Sequence, residues 1–137
     1  MTVAVMWRSN LVDEQPIRID GLVLYTSSLY DQWLKTPHTI TFPGGESLEG
    51  VRARVMDAID HLIEKHQNEN IALVAHRVPN KVICCSLLGI DNSNFWRIQQ
   101  DTASTNCFVY TGGQWIVSYL NDTSYLKVLG KAALSDF

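Results

Sequence analysis

The sequence predicts an α/β fold, a three-layer α/β/α sandwich around a mostly parallel sheet with a C-terminal β-hairpin. Three observations carry the prediction. Ile71-Ala72-Leu73-Val74-Ala75 is an unbroken apolar run, the pattern of a central strand covered on both faces. Before it, Leu48, Val51, Val55, Ile59 and Leu62 recur at helical spacing. After it, Thr105 to Thr111 and Gln114 to Leu120 alternate around Gly112-Gly113, a strong hairpin signal. Strands that alternate with helices bury their faces by layering.

Taken in order, Val3 to Trp7 reads as a first strand, and Asp13 to Gly21, polar and interrupted by Pro16, as a connection. Leu22 to Tyr25 suits a short strand. Leu29, Tyr30, Trp33 and Leu34 have helical spacing. Thr36 to Gly45, with two prolines and two adjacent glycines, is a loop. Ser47 is an N-cap for a helix over Leu48 to Gln67, with Arg52, Asp57, Asp60, Glu64 and Lys65 facing water and His61 and His66 on its surface. Pro79 fits the first turn of a helix that runs to Leu88, stops at Gly89 and buries Val82, Ile83, Leu87 and Leu88. Asn94 to Gln100 is a further short helix. No repeat or linker divides the 137 residues, so 1–137 reads as a single domain.

Composition narrows the function classes. Eleven basic against 14 acidic residues, with no basic cluster, argue against nucleic acid or an anionic membrane as partner. No apolar stretch reaches membrane-spanning length and no charged-then-apolar leader opens the chain, so a cytoplasmic protein is expected. Cys84, Cys85 and Cys107 lack C-x-x-C spacing, which removes the usual zinc and redox readings; no metal and no cofactor is expected. Vicinal cysteines on a helix point about 100° apart, so at most one of Cys84 and Cys85 should line a shared surface. Gly44-Gly45 is not followed by the G-K-[ST] that a phosphate-cradling P-loop needs.

The chemistry concentrates where the apolar run ends, at His76-Arg77. In open α/β sheets the ligand crevice lies outside the carboxyl ends of the strands, and the helix that starts there offers free N–H groups to an anion. His76 is thus the candidate catalytic residue, and Arg77 a candidate for binding a phosphate or carboxylate.

Further motifs surround this pair: Phe42-Pro43-Gly44-Gly45-Glu46-Ser47-Leu48, Arg54-Val55, AHRVPNKVICCSLLGI, NFWRIQQDTAST and Asn121-Asp122-Thr123. In this order and spacing, over roughly residues 22 to 126, the chain resembles the histidine phosphatase superfamily, the phosphoglycerate-mutase-like branch. The resemblance implies phosphoryl chemistry on a small phosphorylated metabolite, with inorganic phosphate as product. It also implies that His76 stands where the family's second histidine neutralises phosphoryl oxygens, with Arg8, Arg77 and Glu46 near the substrate.

Two family groups have no counterpart. The family's nucleophile is the histidine of an R-H-G motif, which occurs nowhere in the chain. Either Arg8-Ser9-Asn10 occupies that place, or Trp7 to Leu11 corresponds to the family's later S-S-x-L-x-R-A segment and the domain is incomplete at its N-terminus. The region where the family carries its acidic proton donor, Leu22 to Trp33, holds no glutamate, and Asp31 fits a helix better than a donor site. The expectation is a catalytically impaired domain that keeps an anion pocket, with an active phosphomonoesterase as the alternative. A homodimer whose interface involves Thr2 to Asn10 is also expected, since that segment opens with five apolar residues.

Overall fold

The structure, a computed structural model, describes residues 2–7, 23–42 and 44–130. Four strands form one sheet: β1 (Thr2–Trp7), β2 (Asn70–Ala75), β3 (Thr105–Thr111) and β4 (Gln114–Asp122), in the order β2-β1-β3-β4. β1 pairs in parallel with β2 and antiparallel with β3, and β3 pairs antiparallel with β4. The helices are α1 (Val23–Lys35), α2 (Leu48–Lys65), α3 (Arg77–Leu87) and α4 (Ser124–Val128). Short 3₁₀ turns cover Pro37–Thr39 and Asn92–Arg97.

The α/β class and the C-terminal hairpin are as expected, and Gly112 and Gly113 both adopt the positive φ that a tight hairpin turn demands. Among the described strands only one pairing of three is parallel. Two strand expectations need correction. Among the described strands the interior positions belong to β1 and β3, each paired on both edges, whereas β2 pairs with β1 alone. β2 is also covered on one face only: Ile71 and Leu73 pack on the core while Val74 on the other face is 61% exposed. An apolar run cannot distinguish these cases, because an uncharged edge strand and a doubly covered strand have the same composition. The second correction is Leu22 to Tyr25, where Val23 to Tyr25 belong to α1 and Leu22 lies outside the described residues. The β-propensity of a Val-Leu-Tyr triplet yields to the helix that continues from it.

α2 lays one apolar stripe into the core. The Ser47 hydroxyl accepts a hydrogen bond from the Gly50 N–H at 3.1 Å, and Leu48, Val51, Val55 and Ile59 are buried along one stripe. Arg52, expected in water, is half-buried and donates to the Ile90 carbonyl at 3.2 Å, tying α2 to the segment after α3. α3 starts two residues before the expected Pro79 and is buried nearly all round, from Asn80 to Cys85 and at Leu87. Leu88 is on the exposed side instead, and both Cys84 and Cys85 are fully buried. A helix enclosed by α2, the sheet and the 92–97 turn has more than one inward face, so a count of one stripe underestimates its burial.

The turn at Asn92–Arg97 begins two residues earlier than expected because the Asp91 carboxylate caps it, accepting from the Ser93 N–H at 2.8 Å. Its rings join α1 to the core. Trp33 lies 5.1 Å from Phe95 and 5.5 Å from Trp96, and the Trp96 indole N–H donates to the Trp33 carbonyl at 2.8 Å. The ammonium of fully buried Lys81 sits 4.6 Å above the Trp96 ring and 5.1 Å from Phe95.

Candidate active site

Strand register defines one end of the sheet. Trp7 faces Ala75, Met6 faces Thr105, and Thr105 faces Asp122, so the carboxyl ends of β1, β2 and β4 and the start of β3 lie side by side. His76 follows β2 directly at this end. With φ −81° and ψ 166° it is the N-cap of α3, yet its side chain makes no capping bond and is exposed. The imidazole is therefore presented to solvent at the mouth of a helix whose first N–H groups have no intrahelical partner. Arg77, the next residue, is half-buried.

Asn80 braces this corner from within. Its backbone N–H donates to the His76 carbonyl at 3.1 Å and its side-chain amide approaches the Ala75 carbonyl at 3.5 Å. Next along the same end runs a polar network. The Gln100 and Asn106 side chains exchange hydrogen bonds at 2.9 and 2.7 Å, and the Asn106 oxygen also accepts from the Asn121 N–H at 2.9 Å. Asn121 in turn accepts from the Asp101 N–H at 2.7 Å and donates to the Asp101 carboxylate at 2.9 Å. These bonds tie the Gln-Gln-Asp turn to the Asn-Asp-Thr end of β4, giving both motifs a positioning role. Sequence reading had not assigned Asn80, Gln100 or Asn106; the signal is a carboxamide where the surrounding pattern asks for an apolar residue.

Glu46 lies in the turn before α2, where both its oxygens accept from the Arg54 Nε at 3.1 and 2.9 Å. Gly50 allows this, since a Cβ there would come within 2.9 Å of the Glu46 Cγ. Glu46 is thus engaged with the helix start. Arg8, Ser9 and Asn10 lie outside the described residues, though β1 ends at Trp7, beside Ala75. That pairing suits the alignment of Arg8-Ser9-Asn10 with the R-H-G position.

The remaining histidines do not join His76 at the end of β2. His66 precedes β2 at its opposite end, about 20 Å away along six strand residues. His61 is exposed on α2 beside Asp57. His38 lines an open depression with Glu49, Asp91, Asn92 and Ser93. The cysteines are no substitute nucleophile. Burial, with Cys85 alongside, pushes the Cys84 thiol up to about 12, and burial pushes Cys85 to about 11. Among the described residues no group of three His, Cys, Asp or Glu side chains is placed to hold a metal ion.

Residues 24–123 match the family model of the histidine phosphatase superfamily, branch 1. The chain belongs to this superfamily. Within it, Phosphoserine phosphatase 1 of Hydrogenobacter thermophilus is 32% identical over 121 residues, which are 88% of this chain and 54% of that protein. The Metal-independent phosphoserine phosphatase of Arabidopsis thaliana is 26% identical over 74% of this chain and 41% of its own length. The chain thus spans about half the length of these relatives. Histidine phosphatase folds are found among solved structures too. YhfR of Bacillus stearothermophilus superposes with a TM-score of 0.72 at 20% identity, over 85% of this chain and 58% of that one. A phosphoserine phosphatase mutant from Entamoeba histolytica, in complex with phosphoserine, gives 0.63 at 19% identity, over 71% and 50%.

Proposed function

We propose that this histidine-phosphatase domain binds the phosphate group of a small metabolite at the carboxyl end of β2, through His76, Arg77 and the N-terminus of α3, and that this chain turns it over poorly. The observation that carries the reading is the lone position of His76. The family's reaction needs a nucleophilic histidine and a second one to neutralise the phosphoryl oxygens, and the strand beside β2 leads into Arg8-Ser9-Asn10. Serine lacks the imidazole nitrogen that would carry the phosphoryl group, and removing a covalent nucleophile costs several orders of magnitude in rate. Arg8 is the second cation proposed for the phosphate; Glu46, held by Arg54, contributes at the rim.

Phosphatase relatives favour the alternative, an active phosphomonoesterase acting on a metabolite such as phosphoserine. Turnover of p-nitrophenyl phosphate separates the two. Little or no hydrolysis, together with phosphate binding that His76→Ala abolishes, is the expected result. Robust hydrolysis lost in His76→Ala would make His76 the prime nucleophile candidate and overturn the impaired reading.

The proposed assembly is a cytoplasmic homodimer, but its interface cannot be strand exchange by Thr2 to Trp7, since β1 is paired on both edges within its own sheet. The outer edge of β2 replaces it: Asn-Ile-Ala-Leu-Val-Ala carries no charge, proline or bulge to discourage pairing with a second copy. Among the described residues no helix is long and apolar enough to cross a membrane.

A further inference from the structure

Asn80 breaks the pattern of α3. It is fully buried on a helix whose other enclosed positions include Val82, Ile83, Cys84, Cys85 and Leu87, and its side-chain oxygen has no hydrogen-bond partner among the described residues. A buried carboxamide with an unsatisfied oxygen costs stability that an apolar side chain of similar volume would not. Positions where a sequence violates a local rule in this way are concentrated at functional sites.

What Asn80 holds identifies the use. Two carbonyls in succession, those of Ala75 and His76, are approached by this one residue: the first by its side-chain amide at 3.5 Å, the second by its backbone N–H at 3.1 Å. Any helical residue four positions on would supply the second bond; the first needs a side chain that carries a donor at this reach, which an apolar residue lacks. The peptide between those two carbonyls belongs to the corner at which the chain turns from β2 into α3. At that corner the backbone is still extended, with ψ 166° at His76, and the imidazole makes no capping bond that would fix it from its own side. The orientation of His76 therefore depends on how firmly the corner is braced from the interior.

We infer that Asn80 is a positioning residue for His76, its side-chain amide bracing the strand-to-helix corner so that the imidazole and the first turn of α3 face the same anion. The inference deepens the proposed phosphate site and rests on it for the identity of the anion. Its effect on His76 itself does not need the anion.

The experiment follows the imidazole signals of isotopically labelled protein by NMR, with and without inorganic phosphate, in wild type, Asn80→Ala and Asn80→Ser. The expected result is His76 imidazole signals displaced from their wild-type positions in both variants and about fivefold weaker phosphate binding, the worth of one neutral hydrogen bond. The His61 signals, from an exposed ring on α2, should stay at their wild-type positions and so distinguish loss of positioning from general loosening. A folded variant with unchanged His76 signals overturns the inference, whether or not phosphate binds. Wild-type protein whose His76 signals ignore phosphate refutes the anion site instead. Should neither variant fold, the wild-type Asn80 side-chain amide decides: its signals should exchange slowly with solvent and move together with those of His76 when phosphate is added, and signals that exchange freely or stay fixed while His76 moves overturn the assignment.

Discussion

Replacing Asn106 with alanine should be among the most damaging single changes in the described part of the molecule. The Asn106 side chain is fully buried and takes part in at least three hydrogen bonds: it donates to Gln100, and accepts from Gln100 and from the Asn121 N–H. At about 1 kcal/mol net for each bond, truncation forfeits about 3 kcal/mol. The Asn121 N–H also loses its acceptor in a half-buried place, adding about 1 kcal/mol or more. The total, about 4 kcal/mol, is a large part of the roughly 5–15 kcal/mol that holds a typical domain folded. Urea unfolding followed by tryptophan fluorescence reads it as a fall in midpoint at constant slope. The companion variants sharpen the test. Gln100→Leu and Asn106→Leu should each destabilise alone, but the two together remove both halves of the amide pair, so the double change should cost at least about 1 kcal/mol less than the sum of these two single changes. A loss under about 1 kcal/mol for Asn106→Ala, or strict additivity in the double variant, would refute the network as a determinant of this end of the sheet.

Other consequences can be checked as directly. Phe95→Ala opens the core where Trp33, Trp96 and Lys81 converge and should cost about 3–5 kcal/mol in the same urea assay; a loss below about 1 kcal/mol would show that the rings do not form one packed unit. Ser47→Ala removes the α2 cap and should cost about 1 kcal/mol, restored by Ser47→Asp; no recovery in the aspartate variant would contradict the capping role. Cys84 and Cys85, pushed by burial to about 12 and about 11, should resist a chromogenic disulfide reagent at pH 8 until the protein is unfolded, and rapid labelling of the native chain would disprove their burial. The Asp91 carboxyl, lowered by hydrogen bonds from Ser93, contributes stability that is present above the ordinary carboxylate range and lost as pH falls through its lowered value. Asp91→Asn should therefore flatten the acid limb of the stability curve, and an identical limb would dismiss the cap. Sedimentation equilibrium at micromolar concentration should show twice the 15.5 kDa chain mass; a single monomeric species would remove the homodimer.

The sequence by itself determined the local elements and the family. Helical spacing from Leu48 onward, the Ser47 cap, the Gly112-Gly113 turn and the His76-Arg77 step at the end of an apolar run are short-range patterns, each dictated by the backbone geometry of a few neighbours. The order of the motifs from Phe42 to Thr123 was likewise readable without coordinates. Tertiary structure alone decided which strand lies between which. An apolar run such as Ile71 to Ala75 carries no label for edge or centre, because that depends on partners distant in sequence, here Thr2 to Trp7, the strand that pairs with it among the described residues. The same holds for the enclosure of α3 and for the roles of Asn80, Gln100 and Asn106. A carboxamide reads as a surface residue until the carbonyls and amides that satisfy it are brought to it, and those come from 5 to 15 residues away along the chain. Periodicity records only what a residue's own turn or strand requires, whereas burial and hydrogen-bond partners are fixed when separate segments pack together.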